Sequence, residues 1–245
     1  MRGCAVTVLV FGATGGIGGA LARRLVGSGR PVHLAARDAT ALGALAAELG
    51  VPFSVSDVLD DTALARTVAA AAPDGRLSGL AFCVGSIVLK PLGRVTSADH
   101  LDAYRLNVLA AARAVAQAAE ALKAGQGAVV LFSSVAARAG FPNHSVIGPV
   151  KAAVEGLTVA LAAELAPAVR VNCIAPSLTR TAMAAPLTGN AAMAKAIAAQ
   201  HPIPRLGEPE DAAALAAFLL GAESGWITGQ VIGVDGGRAS IRSKG

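Results

Sequence analysis

Five glycines fall close together at Gly12, Gly15, Gly16, Gly18 and Gly19. They follow an apolar run, Val6, Val8, Leu9, Val10 and Phe11, and precede Ala20, Leu21, Ala22, Leu25 and Val26 at helical spacing. Strand, glycine turn and helix in that order can cradle a pyrophosphate. Glycines let the backbone come close to the anion, and the helix N-terminus offers unpaired N–H groups and the positive end of its dipole. The same cluster could serve only as a tight packing turn, but the strand and helix around it supply the context a dinucleotide site needs. A second position bears on which dinucleotide. An NAD-specific site usually places an acid at the end of the second strand, where this chain reads Ala35-Ala36-Arg37-Asp38. Arg37 suits a 2′-phosphate, so NADP(H) is preferred and NAD(H) is the alternative; Arg37 could otherwise only begin a solvated helix. Asp57, after the third strand, can accept from an adenine amino group or can cap a turn.

These residues need elements to hold them, and the pattern supplies them in strict alternation. Strands are expected at 31–36, 52–55, 77–83, 128–132, 169–174 and 230–234, after the first at 6–11. Helices are expected from Asp38 to about Gly50, from Asp60 or Asp61 to about Ala72, over 97–122, from near Pro149 to about Leu165, and over 208–220, with one or two more in 181–200. Such alternation predicts an α/β fold, a doubly wound parallel seven-stranded sheet with helices on both faces. Ligands of such a sheet sit outside the carboxyl ends of its strands. No linker, repeat or low-complexity segment divides the 245 residues, so they are expected to form one dinucleotide-binding domain with a substrate lid at about 181–200. The tail 238–245 is polar and is expected to be loose.

Hydrophobic residues make up 54% of the chain and charged residues 15%, enough for a well-buried core and for contacts between copies. No apolar run reaches the roughly 18 residues of a membrane helix, and the N-terminus passes directly into the first strand. Cys4, Cys83 and Cys173 have no metal-like spacing and read as small buried residues of a reducing compartment, the cytoplasm by default. No metal site is expected. The net charge of +5 raises the question of nucleic acid. The basic residues are scattered and aromatics are only 3%, so the charge is assigned to anionic cofactors and small-molecule substrates instead.

Motifs along nearly the whole chain resemble those of the short-chain dehydrogenase/reductase family. Gly12-Ala-Thr14-Gly15-Gly16-Ile17-Gly18 is similar to the family's TGxxxGIG loop, with Phe11 where threonine is usual. Asp57-Val58 resembles its adenine-binding pair. Phe82-Cys-Val-Gly85 replaces its NNAG segment. Asn107 matches the asparagine of its central helix, Ser133-Ser134 its serine strand end, and Lys151-Ala-Ala-Val-Glu-Gly its lysine helix. Arg170 to Pro176 and Thr181-Ala-Met183 resemble the segment around the nicotinamide amide, with Pro176, Thr179 and Thr181 as the implied contacts. Gly229 to Gly237 matches the closing strand. The resemblance implies a Rossmann-like fold and hydride transfer between a nicotinamide cofactor and a carbonyl or alcohol. It also implies a homotetramer or homodimer, with the lysine helix and 226–237 in interfaces. It makes Ser134 the hydrogen-bond donor to the substrate oxygen. Lys151 becomes the cation that holds the nicotinamide ribose.

One departure matters more than the matches. The family carries Tyr four residues before the lysine, and that place is Ile147, which cannot donate a proton. The only Tyr, Tyr104, lies one helical turn from Asn107 and is expected to pack ordinarily. A second branch, the enoyl-thioester reductases, spaces its Tyr seven residues before the lysine in a similar Pro-Asn-Tyr context; that place is His144. Imidazole titrates near neutral pH, though an adjacent lysine cation disfavours its charged form. Water relayed by Ser134, Lys151 and Asn107 is another proton source, and Ser145 a weaker one. Three readings follow: a carbonyl oxidoreductase with an atypical proton donor, a non-catalytic NADP(H)-binding protein, and an enoyl-thioester reductase using His144.

Overall fold

The computed structural model describes residues 6–241; Cys4 and residues 242–245 of the tail lie outside them. Seven parallel strands form one sheet: β1 (Thr7–Phe11), β2 (Val32–Ala36), β3 (Phe53–Val55), β4 (Leu77–Phe82), β5 (Ala128–Phe132), β6 (Arg170–Pro176) and β7 (Val231–Val234). Their order is β3-β2-β1-β4-β5-β6-β7. The chain therefore reverses direction of growth between β1 and β4, the crevice where such sheets bind ligands.

The alternation of β1 shows how the sheet divides its helices. Val8 and Val10 point to one face, where they meet Leu21 and Leu25 of α1 (Gly16–Gly27), Leu42 of α2 (Ala39–Leu49) and Leu219 of α9 (Pro209–Leu219). Leu9 and Phe11 point to the other. There they join Leu64 of α3 (Asp61–Ala71), Ala103 of α4 (Ser97–Tyr104), Leu122 of α5 (Ala110–Ala124) and Val154 of α6 (Ile147–Leu165). Each fully buried leucine contributes about 1.5–3 kcal/mol. The strands must be apolar on both sides because both faces are covered. Edge strand β3 is the exception, with Phe53 and Val55 exposed.

Helix starts follow capping chemistry. Asp38 accepts from the backbone N–H groups of Thr40 and Ala41, both at 3.0 Å, to open α2. Asp60, not Asp61, caps α3, accepting from Thr62 N–H at 2.8 Å. Short helices α7 (Ala185–Thr188) and α8 (Ala191–Ala198) fill 181–200.

Several expectations need correction. The helix expected over 97–122 is not one regular α-helix: a π turn, Arg105–Leu109, separates α4 from α5, and α5 runs on to Ala124. Within the π turn, Asn107 donates from Nδ2 to the Ala103 carbonyl four residues back, at 2.9 Å. A side chain occupies a position on the backbone ladder there, the local condition for a wide turn. Strand β6 continues two residues past Ile174 to Pro176, because Ala175 and Pro176 pair with Gly233 and Val234 of β7. Tyr104 does not pack away; it is 42% exposed at the end of α4. Cys83 is half-buried, whereas Cys173 is fully buried. Arg238, assigned to a loose tail, has defined contacts described below.

Candidate active site

The glycine loop at the mouth of β1 is held by backbone at very close range. Gly12 has φ +75° and donates its N–H to the Ala35 carbonyl of β2 at 2.8 Å. A Cβ on Gly18 would lie 2.3 Å from the Gly12 oxygen, and one on Gly16 would lie 2.7 Å from the Thr181 methyl carbon. The loop thus needs its glycines to close at all. Helix α1 begins at Gly16 with no side chain capping it. Its first-turn N–H groups are left for another acceptor. Gly15, Gly16, Ile17 and Gly18 line a cavity of about 440 Å³. Gly12 supports it from behind, and Thr14 is exposed outside its lining.

The opposite end of the same cavity is built from the mouths of β4, β5 and β6 and the start of α6. Lys151 enters from the second turn of α6 and is only 8% exposed. Its Nζ donates to the Phe132 carbonyl at 3.0 Å. Burial lowers its pKa from 10.5 to about 8, since desolvation penalises the cation. Gly85 lets two side chains approach: a Cβ there would stand 2.8 Å from Asn107 Oδ1 and 3.2 Å from Lys151 Nζ. Asn107 sits behind this contact. Its Nδ2 donates to Ser86 Oγ at 3.0 Å and its Oδ1 accepts from Ser86 N–H at 3.3 Å. Asn107 therefore fixes the loop after β4 rather than lining the cavity.

The two serines at the end of β5 divide their work. Ser133 is buried and its hydroxyl lies 3.0 Å from both the Lys151 carbonyl and Glu155 Oε1. It ties the strand to α6 at the level of the lysine, and Arg138 holds Glu155 from outside at 2.8 Å. Ser134 accepts from the Ala136 N–H at 3.2 Å. That bond uses an oxygen lone pair, so its O–H remains to donate into the cavity it lines. Ile147, 4% exposed, presents an apolar wall of the same cavity. Tyr104 is not among the lining residues.

His144 also lines the cavity, and its hydrogen bonding limits what it can do there. Its Nδ1 lies 2.7 Å from the Pro142 carbonyl. A carbonyl only accepts, so Nδ1 carries the proton and a neutral ring presents a lone pair at Nε2. Only the imidazolium could donate into the cavity. Ser145 is no substitute, because its Oγ is buried without a partner and it lines a separate surface hollow.

The remaining predicted positions separate into two groups. Pro176, Thr179 and Thr181 line the cavity; Thr179 Oγ1 donates to the Ser177 carbonyl at 3.0 Å, and Thr181 accepts from Ala184 N–H at 3.3 Å. Arg37, Asp57 and Val58 lie beyond the cavity, at the ends of β2 and β3. Arg37 is exposed and makes no ion pair among the described residues. Asp57 is exposed, and only its Oδ1 is engaged, by Leu59 N–H at 3.0 Å. Val58 is core. Among the described residues no cluster of His, Cys, Asp or Glu could hold a metal ion, and no helix is long and apolar enough to cross a membrane.

A charged lining residue escaped sequence reasoning. Arg238 reaches the cavity from the turn after β7, its guanidinium carbon 4.7 Å from the centre of the Phe141 ring. The signal was available: Asp235 holds the turn by accepting from Gly237 and Ala239 N–H, both at 2.9 Å.

Comparison with known proteins agrees with this architecture. Residues 12–239 match a family model described as Enoyl-(Acyl carrier protein) reductase. A tropinone reductase homolog of Arabidopsis thaliana is 36% identical over 240 residues, covering 94% of this chain and 91% of that protein. A short-chain type dehydrogenase/reductase from Mycobacterium ulcerans superposes with a TM-score of 0.91 at 34% identity, over 97% of this chain and 90% of the other. An actinorhodin polyketide ketoreductase variant solved with NADPH superposes with a TM-score of 0.91 at 28% identity, over 97% and 98% of the two chains.

Proposed function

Because the chain belongs to the short-chain dehydrogenase/reductase family, we propose that it is an NADP(H)-dependent oxidoreductase acting on a carbonyl or alcohol substrate. The observation that carries this reading is one cavity holding a glycine-lined helix N-terminus at one end and Ser134 with Lys151 at the other. The glycines fit a pyrophosphate, since a Cβ on Gly16 or Gly18 would fill the cradle or its support. NADP(H) is favoured over NAD(H) by the lack of an acid at the end of β2. Asp38 is engaged in capping α2 and Arg37 is free for a 2′-phosphate. The solved ketoreductase that superposes on this chain carries NADPH. Asp57 and Val58 would meet the adenine. Pro176, Thr179 and Thr181 would flank the nicotinamide.

A bound NADPH would supply the hydride; the chain supplies position, charge and a proton. Ser134 donates a hydrogen bond to the substrate oxygen and stabilises the negative charge that grows there. With isoleucine at 147, the proton comes from the Lys151 ammonium, which water then reprotonates. Burial brings that ammonium close to neutral titration, which suits an acid. Asn107 and Gly85 keep the approach to Lys151 open. Segment 181–200 acts as the lid.

The test is direct. Calorimetry should detect NADPH binding more tightly than NADH, with the difference reduced in Arg37→Ser. NADPH oxidation should then appear against a panel of ketones, enoyl thioesters and sugars, and should fall about 10²–10⁴-fold in Ser134→Ala and Lys151→Ala. Binding without turnover on any panel would replace this reading with the second one, a non-catalytic nucleotide-binding protein, which the buried Ile147 favours. Turnover of enoyl thioesters alone, lost in His144→Ala, would favour an enoyl-thioester reductase. We read Val159 on α6, 54% exposed, and Trp226, wholly exposed, as contacts of a homotetramer or homodimer, which light scattering would detect.

A further inference from the structure

Arg238 is a cation inside an otherwise largely apolar wall. Ile87, Leu89, Ile147, Met183, Leu187 and Ile197 line the same cavity. The guanidinium lies over one ring, Phe141, whose other neighbour is His144 at 5.3 Å between ring centres. One N–H of Nη2 goes to Gln200 Oε1 at 2.6 Å. No carboxylate pairs with it among the described residues, and its remaining N–H groups have no protein acceptor there. Burial lowers its pKa, as expected of a cation with no counter-ion. Nothing about its placement is loose. Gly236 and Gly237 have φ of +61° and +87°, Asp235 fastens the turn, and Gly236 accepts from Ile203 N–H at 3.0 Å. Gln200 is fixed in turn by its neighbour His201, which bonds Ser177 Oγ at 2.8 Å and the Ile197 carbonyl at 2.9 Å.

We propose that Arg238 recognises a carboxylate on the substrate, so that the substrate class is a carbonyl compound with an apolar body and an acidic end. This rests on the oxidoreductase reading and names its substrate. A guanidinium presents paired donors that match a carboxylate, and its position on an aromatic face keeps that fork oriented. A single unpaired cation offsets a single negative charge. A phosphate dianion would call for a second cation in the cavity wall, and the wall's buried cation, Lys151, is held at the reacting end by Phe132. The competing role for Arg238 is a latch that joins the C-terminal turn to the lid through Gln200.

Calorimetry on the full chain separates the two roles. Octanoate is titrated against octanamide, its neutral twin, into wild type, Arg238→Met and Gln200→Met, each with and without NADP⁺. Octanoate should bind wild type at least tenfold more tightly than octanamide. Arg238→Met should lose about tenfold to a hundredfold of octanoate affinity, the range for hydrogen bonds to a charged group, and leave octanamide unchanged. Gln200→Met should keep the carboxylate preference. Equal binding of octanoate and octanamide by wild type overturns the proposal. So does equal loss in both variants, which would make the contact a latch. NADPH affinity, measured separately, should be the same in Arg238→Met and wild type. Its absence in wild type would remove the oxidoreductase reading without deciding the carboxylate result.

Discussion

The glycine-lined end of the cavity is made largely of backbone, and the opposite end is made of side chains. At the first, a Cβ on Gly12 or Gly18 would collide with backbone at 2.3–2.8 Å. At the second, Phe141, His144, Ile147 and Lys151 from the stretch leading into α6 meet Arg238, which follows β7, across open space. A backbone site admits almost no variation in residue type. A side-chain site can exchange one residue for another and keep the fold, changing the chemistry alone. That is why this chain keeps the cradle and has isoleucine at 147.

The sharpest way to break this contrast is Gly18→Ala. Its Cβ would press on the Gly12 carbonyl, which belongs to the loop and cannot swing aside like a side chain. NADPH affinity should fall more than about 100-fold, with a lower melting temperature, because opening the loop costs several kcal/mol of lost packing and hydrogen bonds. Phe141→Ala, at the other end, should leave NADPH affinity within about threefold of wild type, since it trims a wall and moves no backbone. Isothermal calorimetry on both variants decides the matter. Similar losses in the two would mean the ends are not built differently.

The same contrast explains what was legible in the sequence. The seven parallel strands, the helices on both faces and the cradle follow from apolar runs, glycines and caps, all local signals. Asp38, Asp60 and Glu208 mark their helix starts within a residue. What stayed hidden depends on contacts between distant segments. The π turn at Arg105–Leu109 arises where the Asn107 amide must serve both Ala103 and the loop after β4, and no spacing rule encodes that demand. The proton on His144 Nδ1 is set by a carbonyl two residues away, which requires coordinates. Charge and position near a terminus point Arg238 to solvent; its Asp235-Gly236-Gly237 turn is the local sign against that.

Restoring the missing phenol is the next test. Ile147→Tyr places a hydroxyl four residues before Lys151, on the same face of α6. The wild-type residue already lines the cavity, so the larger ring has room toward it. With a dedicated acid added, kcat for the best ketone should rise about 10–100-fold, within the span that general acids contribute, and KM should change little. An unchanged kcat would mean that proton transfer does not limit turnover, and would weaken the role given to Lys151.

The smallest expected effect concerns stability rather than rate. Lys151 is buried, and desolvation brings its pKa from 10.5 to about 8. The folded state therefore binds fewer protons than the unfolded chain between those values, and stability of the wild type should rise with pH across that window. Below pH 8 the buried cation opposes folding by about 3 kcal/mol at most, from the difference between the two values. Lys151→Met removes that cost but leaves the Phe132 carbonyl without its donor, a loss of about 1–2 kcal/mol. Urea unfolding at pH 7 should find the variant more stable by about 1–2 kcal/mol, although its turnover is gone. The advantage should shrink from pH 8 upward and reverse by about pH 10.5, where the wild-type lysine folds at no charge penalty and keeps its hydrogen bond. A variant that is less stable than wild type at pH 7 would show that Lys151 is held there for the fold, and would place the side-chain end of the cavity under the same structural constraint as the glycine end.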